Sequence, residues 1–445
     1  MKEWTPTSWQ SKPYEQSASY PDEQQLDIVV NKLSQLPPLV TSGEVKRLKT
    51  EIAMAGKGKA FILQGGDCAE QFNECRSDII SNKLKILLQM SLVLLHGLRK
   101  PIIRVGRIAG QYAKPRSSDF ETVDGVTLPS YRGDLVNSPE FTAEARRPNP
   151  KLLLQGYSCS AMTLNFIRSL LDGGFADLHD PHKWDLSFVN HSKQADRYFQ
   201  IVKSITDSLE FLEAIDGLRS SNLHKVDFYT SHEALHLHYE QGLTRKLKDG
   251  RWYDLSTHLP WIGMRTAKMN GAHVEFIRGI DNPIGIKIGP SADPKEVVEL
   301  VQYINPRNEE GRVLLISRMG NSKIKECLPP FIEAINQQKT PVTWSCDPMH
   351  GNTEQTEDGI KTRHFDKIQG ELYKAVEIHR AHHSNLGGVH FELTGDNVTE
   401  CIGGARGLSS SDLKHAYRTL VDPRLNYEQS LEMALGLSQA FHTRD

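Results

Sequence analysis

"PVTWSCDPMHGNT", residues 341–353, starts as a short β-prone run. It ends on a sulfur, a carboxylate, a thioether and an imidazole, before Gly351-Asn352-Thr353 turns the chain away. Seven other runs share this build: 60–66 (AFILQGG), 102–108 (IIRVGRI), 225–231 (KVDFYTS), 258–263 (HLPWIG), 284–289 (IGIKIG), 312–319 (RVLLISRM) and 388–394 (GVHFELT). Each is rich in β-branched or aromatic residues and bounded by Gly, Pro or polar residues, as a strand buried on both faces should be. Helical periodicity fills most gaps, at 78–98, 150–172, 295–303, 322–337, 366–383 and 427–441. Eight strands alternating with helices predict an α/β fold, a (β/α)8 TIM barrel.

Two regions stand outside that rhythm. Residues 1–55 are polar and punctuated by prolines, with a helical pattern only over 24–36, and read as an N-terminal extension to a barrel domain over 56–445. The gap between the second and third runs is too long for one βα unit. Its patterns at 150–172 and 192–215 predict an inserted helical segment over about 150–217.

Composition narrows the function. The chain has 445 residues, 38% apolar and 24% charged, with a net charge of −2. That suits a globular protein and offers no field for nucleic acid or an anionic membrane. No uninterrupted apolar run reaches the ~20 residues of a membrane span. Six cysteines without a CxxC pair make no disulfide framework, so the cytoplasm is the default compartment.

In such a barrel, chemistry sits where the strands end. Cys68, His350, Glu392 and Asp422 fall at or after different strand ends and offer sulfur, nitrogen and oxygen. That mixture suits Mn2+, Fe2+, Co2+ or Zn2+ better than Mg2+ or Ca2+, which want oxygen alone. Arg107, Lys114, Arg116, Arg265, Lys287 and Arg318 form a second set. Six cations at one mouth repel each other unless anions sit among them, and guanidinium forks match phosphate and carboxylate. Taken singly, each residue has an ordinary structural explanation; their coincidence at strand ends argues for a site. His232-Glu233-Ala234-Leu235-His236 matches the HExxH zinc-peptidase pattern, but begins where a strand ends instead of on a helix.

These motifs closely resemble the type II (plant-like) 3-deoxy-D-arabino-heptulosonate-7-phosphate (DAHP) synthase family. The resemblance runs in order through WTPTSW (4–9), QGGDCAE (64–70), VGRIAGQYAKPRSS (105–118), LPSYRGD (128–134), YTSHEAL (229–235), NPIGIKIGP (282–290), SRMGN (317–321), DPMHGNT (347–353), KTRHFD (361–366) and DPRLNYEQSLE (422–432). It implies condensation of phosphoenolpyruvate with erythrose 4-phosphate, at the entry to the shikimate route. It puts the metal on Cys68, His350, Glu392 and Asp422, with Mn2+ or Co2+ first and Zn2+ or Fe2+ behind. It puts phosphoenolpyruvate on Arg107, Met264, Arg265, Lys287 and Arg318, and erythrose 4-phosphate on Lys114, Arg116 and Ser117. Lys114, Arg265, Lys287 and His350 would be the catalytic members. Homo-oligomers (dimer or tetramer), aromatic amino acid effectors and a chorismate mutase partner are further implications.

Two positions depart from the family pattern. Met264 stands where relatives usually carry Glu, which raises a paralogue using an amino- or imino-sugar phosphate as an alternative; a non-catalytic relative, kept as a binding or regulatory partner, is a separate one. Val421 stands where many relatives have a Cys able to pair with the metal-site thiol, so that pairing is not expected here.

Overall fold

A computed structural model describes residues 3–173, 175, 196, 199–201, 203, 204, 207 and 227–442. Eight strands close into one barrel: β1 (Phe61–Gly66), β2 (Ile102–Arg107), β3 (Phe228–Glu233), β4 (Leu259–Ile262), β5 (Ile284–Ile288), β6 (Val313–Ser317), β7 (Thr343–Cys346) and β8 (Leu386–Glu392). Every neighbouring pair is parallel, and β8 returns to β1. All eight predicted runs are strands. The third begins at Phe228, three residues later than expected, and ends at Glu233, so His232 and Glu233 belong to the strand itself.

The lumen is apolar low down and polar at the top. Ile62, Ile103, Val105, Tyr229, Leu259, Leu314 and Ile316 fill it. Leu48, Ile52 and Ala55 press on the same cluster from the helix Ser42–Gly56, which stops the N-terminal end of the barrel. The sequence reading had only one helix in the extension, observed at Glu23–Gln35. It missed this second one, whose start is fixed by a Thr41/Glu44 capping box.

The rest of the N-terminal segment is fastened by aromatic anchors. Trp4 donates from its indole N–H to Glu275 O (2.8 Å), and Trp9 donates to Gln241 Oε1 (3.1 Å). Gly279 leaves room for the Trp4 ring, since a Cβ there would lie 2.0 Å from it.

Helix Ser77–Leu98 is long and apolar enough to cross a membrane by composition, but is mostly buried. It packs on the final helix, Tyr427–His442; Gly97 permits the approach, because a Cβ there would meet Ser438 Oγ at 1.7 Å. The predicted helix at 150–172 is observed as Lys151–Asp172. The one predicted over 192–215 lies for the most part outside the described residues.

Candidate active site

Register brings the first functional groups into line. Gly66 on β1 pairs with Glu392 on β8 and with Arg107 on β2, so a carboxylate and a guanidinium flank one glycine at the top of the barrel. Gly66 is required there: its φ is 146°, and a Cβ would lie 2.5 Å from Arg107 O. Arg107, 1% exposed, donates to Cys68 O (3.0 Å) and to His390 Nε2 (2.8 Å), and lies 3.2 Å from Glu392 Oε1.

Donor atoms of Cys68, Glu392 and Asp422 lie within 4.8 Å of one another. His350 joins them through Glu392, its Nε2 being 3.0 Å from Glu392 Oε1. Its Nδ1 is 2.7 Å from Asp347 Oδ2. Both ring nitrogens thus face carboxylates. With the Nδ1 proton given to Asp347, Nε2 turns a lone pair toward Glu392, a contact that a cation would reconcile. Glu392 Oε1 is buried without a hydrogen bond. The residues therefore fit a divalent ion with mixed sulfur, nitrogen and oxygen donors. Burial opposes the charge on Glu392, but His350, Arg363, Lys114 and Arg107 hold its carboxyl well below the usual range. Burial pushes the Cys68 thiol up, with Glu392 adding to the effect.

The opposite walls are cationic. A pocket of about 350 Å³ is lined by Arg107, Lys114, Arg116, Ser117, Arg265, Lys287 and Arg318 together with Cys68, His350 and Asp422. Lys287, buried in the β5 strand, reaches Asp347 Oδ2 (2.7 Å) and lies 4.4 Å from the Trp261 ring centre. Burial lowers its pKa, and Asp347 partly restores it. Arg318 donates to His350 O (2.7 Å) and touches Met264 Sδ (2.7 Å). Among the described residues, neither Arg265 nor Arg318 pairs with a carboxylate. Arg116 is held by Glu121 (2.5 Å) and Lys114 by Asp422 (2.6 Å).

The class-II DAHP synthetase family model matches residues 4–438. The chain belongs to that family. It is 45% identical over 448 residues to the phospho-2-dehydro-3-deoxyheptonate aldolase of Neurospora crassa, covering 97% of this chain and 93% of that protein. The Streptomyces coelicolor protein of the same name is 45% identical over 435 residues, covering 98% and 96%. A crystal structure of the Thermotoga maritima DAHP synthase aligns at a TM-score of 0.35 and 14% identity over 86% of this chain and 68% of that one, a likeness on which nothing here depends.

In this DAHP synthetase family member, the peptidase reading of HExxH is overturned. His232 faces Glu240 Oε1 at 2.9 Å, whereas His236 meets the Tyr20 hydroxyl at 2.6 Å. The two imidazoles serve different buried partners, and the motif begins on a strand, so no shared metal position exists between them. Only Glu233 of that motif reaches the pocket. Arg104, in the middle of β2, turns outward to Ser91 Oγ (2.7 Å).

Several site residues escaped the sequence reading. Arg363, 0% exposed, donates to Glu392 Oε2 (2.7 Å). Asp347, noted only as a strand-end acid, orients His350 and receives Lys287. Gln111 accepts the Glu233 N–H through Oε1 (2.9 Å), and Trp261, Thr353 and Lys361 line the pocket. Arg363 lies within a recognised motif, but its partner Glu392 ends a distant strand; Asp347 orients His350 from three residues away, whereas its contact with Lys287 on β5 is beyond the reach of spacing.

Proposed function

We propose that this enzyme condenses phosphoenolpyruvate with erythrose 4-phosphate and water, giving DAHP and phosphate as the first step of the shikimate route. One observation carries the reading: a Cys68–Glu392–Asp422 cluster with the His350 imidazole beside it, and guanidinium groups that have no carboxylate partner among the described residues, meet at a single pocket.

Arg107, Arg265, Lys287 and Arg318 hold the carboxylate and phosphate of phosphoenolpyruvate, with the Met264 main chain beside them. Holding both anionic ends leaves the enol C3 free to meet an aldehyde carbon. Lys114, Arg116 and Ser117 take the sugar phosphate. Cys68, His350, Glu392 and Asp422 would hold Mn2+ or Co2+. When bound, the ion supplies Lewis-acid polarisation of the aldehyde oxygen. Although burial works against its charge, Lys114 is kept protonated by Asp422, Cys68 and Glu392, so its ammonium is a fixed donor for that same oxygen. C3 attacks the aldehyde carbon. Positive character then collects at C2, beside the carboxylate held by Lys287. Water adds there, and the hemiketal loses phosphate by C–O cleavage.

The Met264 departure belongs to the enol-phosphate half. Its sulfur touches Arg318, and its side chain fills the space over Gly289, where a Cβ would lie 2.4 Å from Sδ. This supports erythrose 4-phosphate as the partner, because an altered sugar would call for change around Arg116 and Ser117. The test is phosphate release from phosphoenolpyruvate with and without erythrose 4-phosphate, in the metal-loaded enzyme. Release that ignores the sugar ends the reading. A gain above about tenfold on Met264→Glu, ~1.4 kcal/mol of barrier, would point to a different natural substrate or to an enzyme weakened in its enol-phosphate half.

A further inference from the structure

The N-terminal segment does more than decorate the barrel. Its residues 13–17 line a cavity next to the pocket, sharing Arg116 and Ser117 with it, and grip the segments that follow three strands. Pro13 O accepts from Ala272 N (2.9 Å), in the segment following β4. The Tyr14 hydroxyl donates to Leu235 O (3.1 Å) and accepts from Leu237 N (2.8 Å), both after β3. Glu15 pairs with Lys268 (2.7 Å), three residues beyond Arg265. Gln16 then reaches the loop after β2, where its Oε1 accepts the Arg116 N–H at 2.7 Å.

Gln16 is held in place from both sides. Its carbonyl accepts from Arg132 Nη1 at 3.4 Å, and Arg132 O in turn accepts the Lys114 N–H at 2.9 Å. One short network thus fixes the main chain of both Lys114 and Arg116. Gln16 has a φ of 59°, a left-handed conformation that costs a non-glycine residue energy and persists only where the surroundings impose it. Between this segment and Arg116, Ser117 and Asp119 lies a polar cavity of about 410 Å³.

We propose that residues 13–17 form a strap belonging to the sugar-phosphate half of the active site, with Gln16 positioning the loop that carries Lys114, Arg116 and Ser117. The inference rests on the assignment of that loop to the sugar phosphate. Gln16 touches no reacting atom in this account and acts only through the backbone it holds.

Two variants test it in the full-length metal-loaded enzyme. Gln16→Met keeps the side-chain length and removes the acceptor, whereas Gln16→Glu keeps an acceptor oxygen. Losing the hydrogen bond raises KM for erythrose 4-phosphate by about tenfold in Gln16→Met and moves KM for phosphoenolpyruvate by less than about twofold. Gln16→Glu recovers most of the loss. Calorimetry with inorganic phosphate, at saturating phosphoenolpyruvate, reads the second anion site without turnover and weakens by the same factor. Equal shifts in both KM values, no shift in either, or a Gln16→Glu enzyme as impaired as Gln16→Met would overturn the strap. Should the parent enzyme turn over no erythrose 4-phosphate, the functional reading falls by itself. Calorimetry then decides the strap alone, and unchanged phosphate binding in Gln16→Met refutes it.

Discussion

Lys114 Nζ lies 2.6 Å from Cys68 Sγ. The same nitrogen is 2.6 Å from Asp422 Oδ2, so an ammonium leans on two of the atoms that a metal would use. The ammonium and a divalent ion therefore compete for the same charge. Lys114→Met is expected to bind Co2+ at least as tightly as the parent while losing turnover by about 100-fold, the scale of a removed proton donor. Cys68→Ser is expected to lose both turnover and the thiolate-to-Co2+ charge-transfer absorption. A spectrophotometric Co2+ titration of the two variants checks this. An undiminished charge-transfer band in Cys68→Ser would remove the sulfur from the ligand set.

Asp347 couples the two halves of the pocket. It faces His350 Nδ1 at 2.7 Å on one side and Lys287 Nζ at 2.7 Å on the other. Asp347→Asn should weaken metal binding by about 10- to 100-fold, the usual cost of losing a histidine's orienting carboxylate. It should also move the alkaline limb of kcat/KM for phosphoenolpyruvate. Lys287 starts below the ordinary lysine value because of burial, and Asp347 is the largest influence supporting its charge. Without that carboxylate the proton leaves at still lower pH, so the limb shifts toward neutrality. A limb that stays fixed, or moves up, would show that Lys287 is not the titrating cation.

The loops carrying Cys68 and Asp422 are tied one and two residues away from those side chains. Arg424 donates to Asp67 Oδ1 (2.6 Å) and to Glu400 Oε1 (2.8 Å), and Asp67 also pairs with Lys83. All four side chains are at least nine-tenths buried. Arg424→Met would take the guanidinium from two buried carboxylates, leaving Asp67 to Lys83 and Glu400 to main-chain N–H donors, with an expected loss of about 3–5 kcal/mol in stability. Metal affinity should fall with it, because the two loops lose their common clamp. Denaturant titration with and without metal measures both effects. A variant of parental stability would mean that Lys83 alone satisfies Asp67.

The barrel was legible because each strand is a short β-branched run closed by polar chemistry, and period and punctuation agreed at all eight. The helix Ser42–Gly56 was not. Its stripe of Val45, Leu48, Ile52 and Ala55 keeps helical spacing, but it is narrow among Lys46, Arg47, Lys49, Thr50 and Glu51, and Pro37-Pro38 just before it made the stretch read as part of a polar extension. The T-S-G-E of its capping box was the available signal. Strand-end position gathered the pocket's donors and cations, since closing the barrel brings every strand end to one mouth. Contacts such as Arg363–Glu392 and Arg424–Asp67 come from loop closure between distant segments and leave no periodic trace. HExxH was set aside for a reason the sequence did carry: its spacing has meaning on a helix, and here it begins on a strand.

Glu240 offers a test away from the pocket. Its carboxyl lies 2.9 Å from His232 Nε2 and accepts from Ser256 Oγ at 2.6 Å, in a fully buried setting. Burial raises its pKa to about 7, and burial lowers that of His232 to about 4. Between those two values the contact is therefore a carboxylic O–H beside a neutral imidazole, not an ion pair, with the buried Asp254, whose pKa burial and Glu240 also raise, as a further neighbour. In the unfolded chain the same glutamate titrates near ~4.3. The folded state binds the proton more tightly, so this contribution is complete below the unfolded value. It disappears as pH rises through about 7, amounting to roughly 3 kcal/mol. Glu240→Gln retains both contacts, with the amide N–H donating to His232 and the amide oxygen accepting from Ser256, and cannot ionise. Its thermal midpoint should match the parent's near pH 4 and exceed it by several degrees above pH 8. A deficit of equal size at both pH values would mean that the folded protein keeps Glu240 charged, and that an amide cannot take its place.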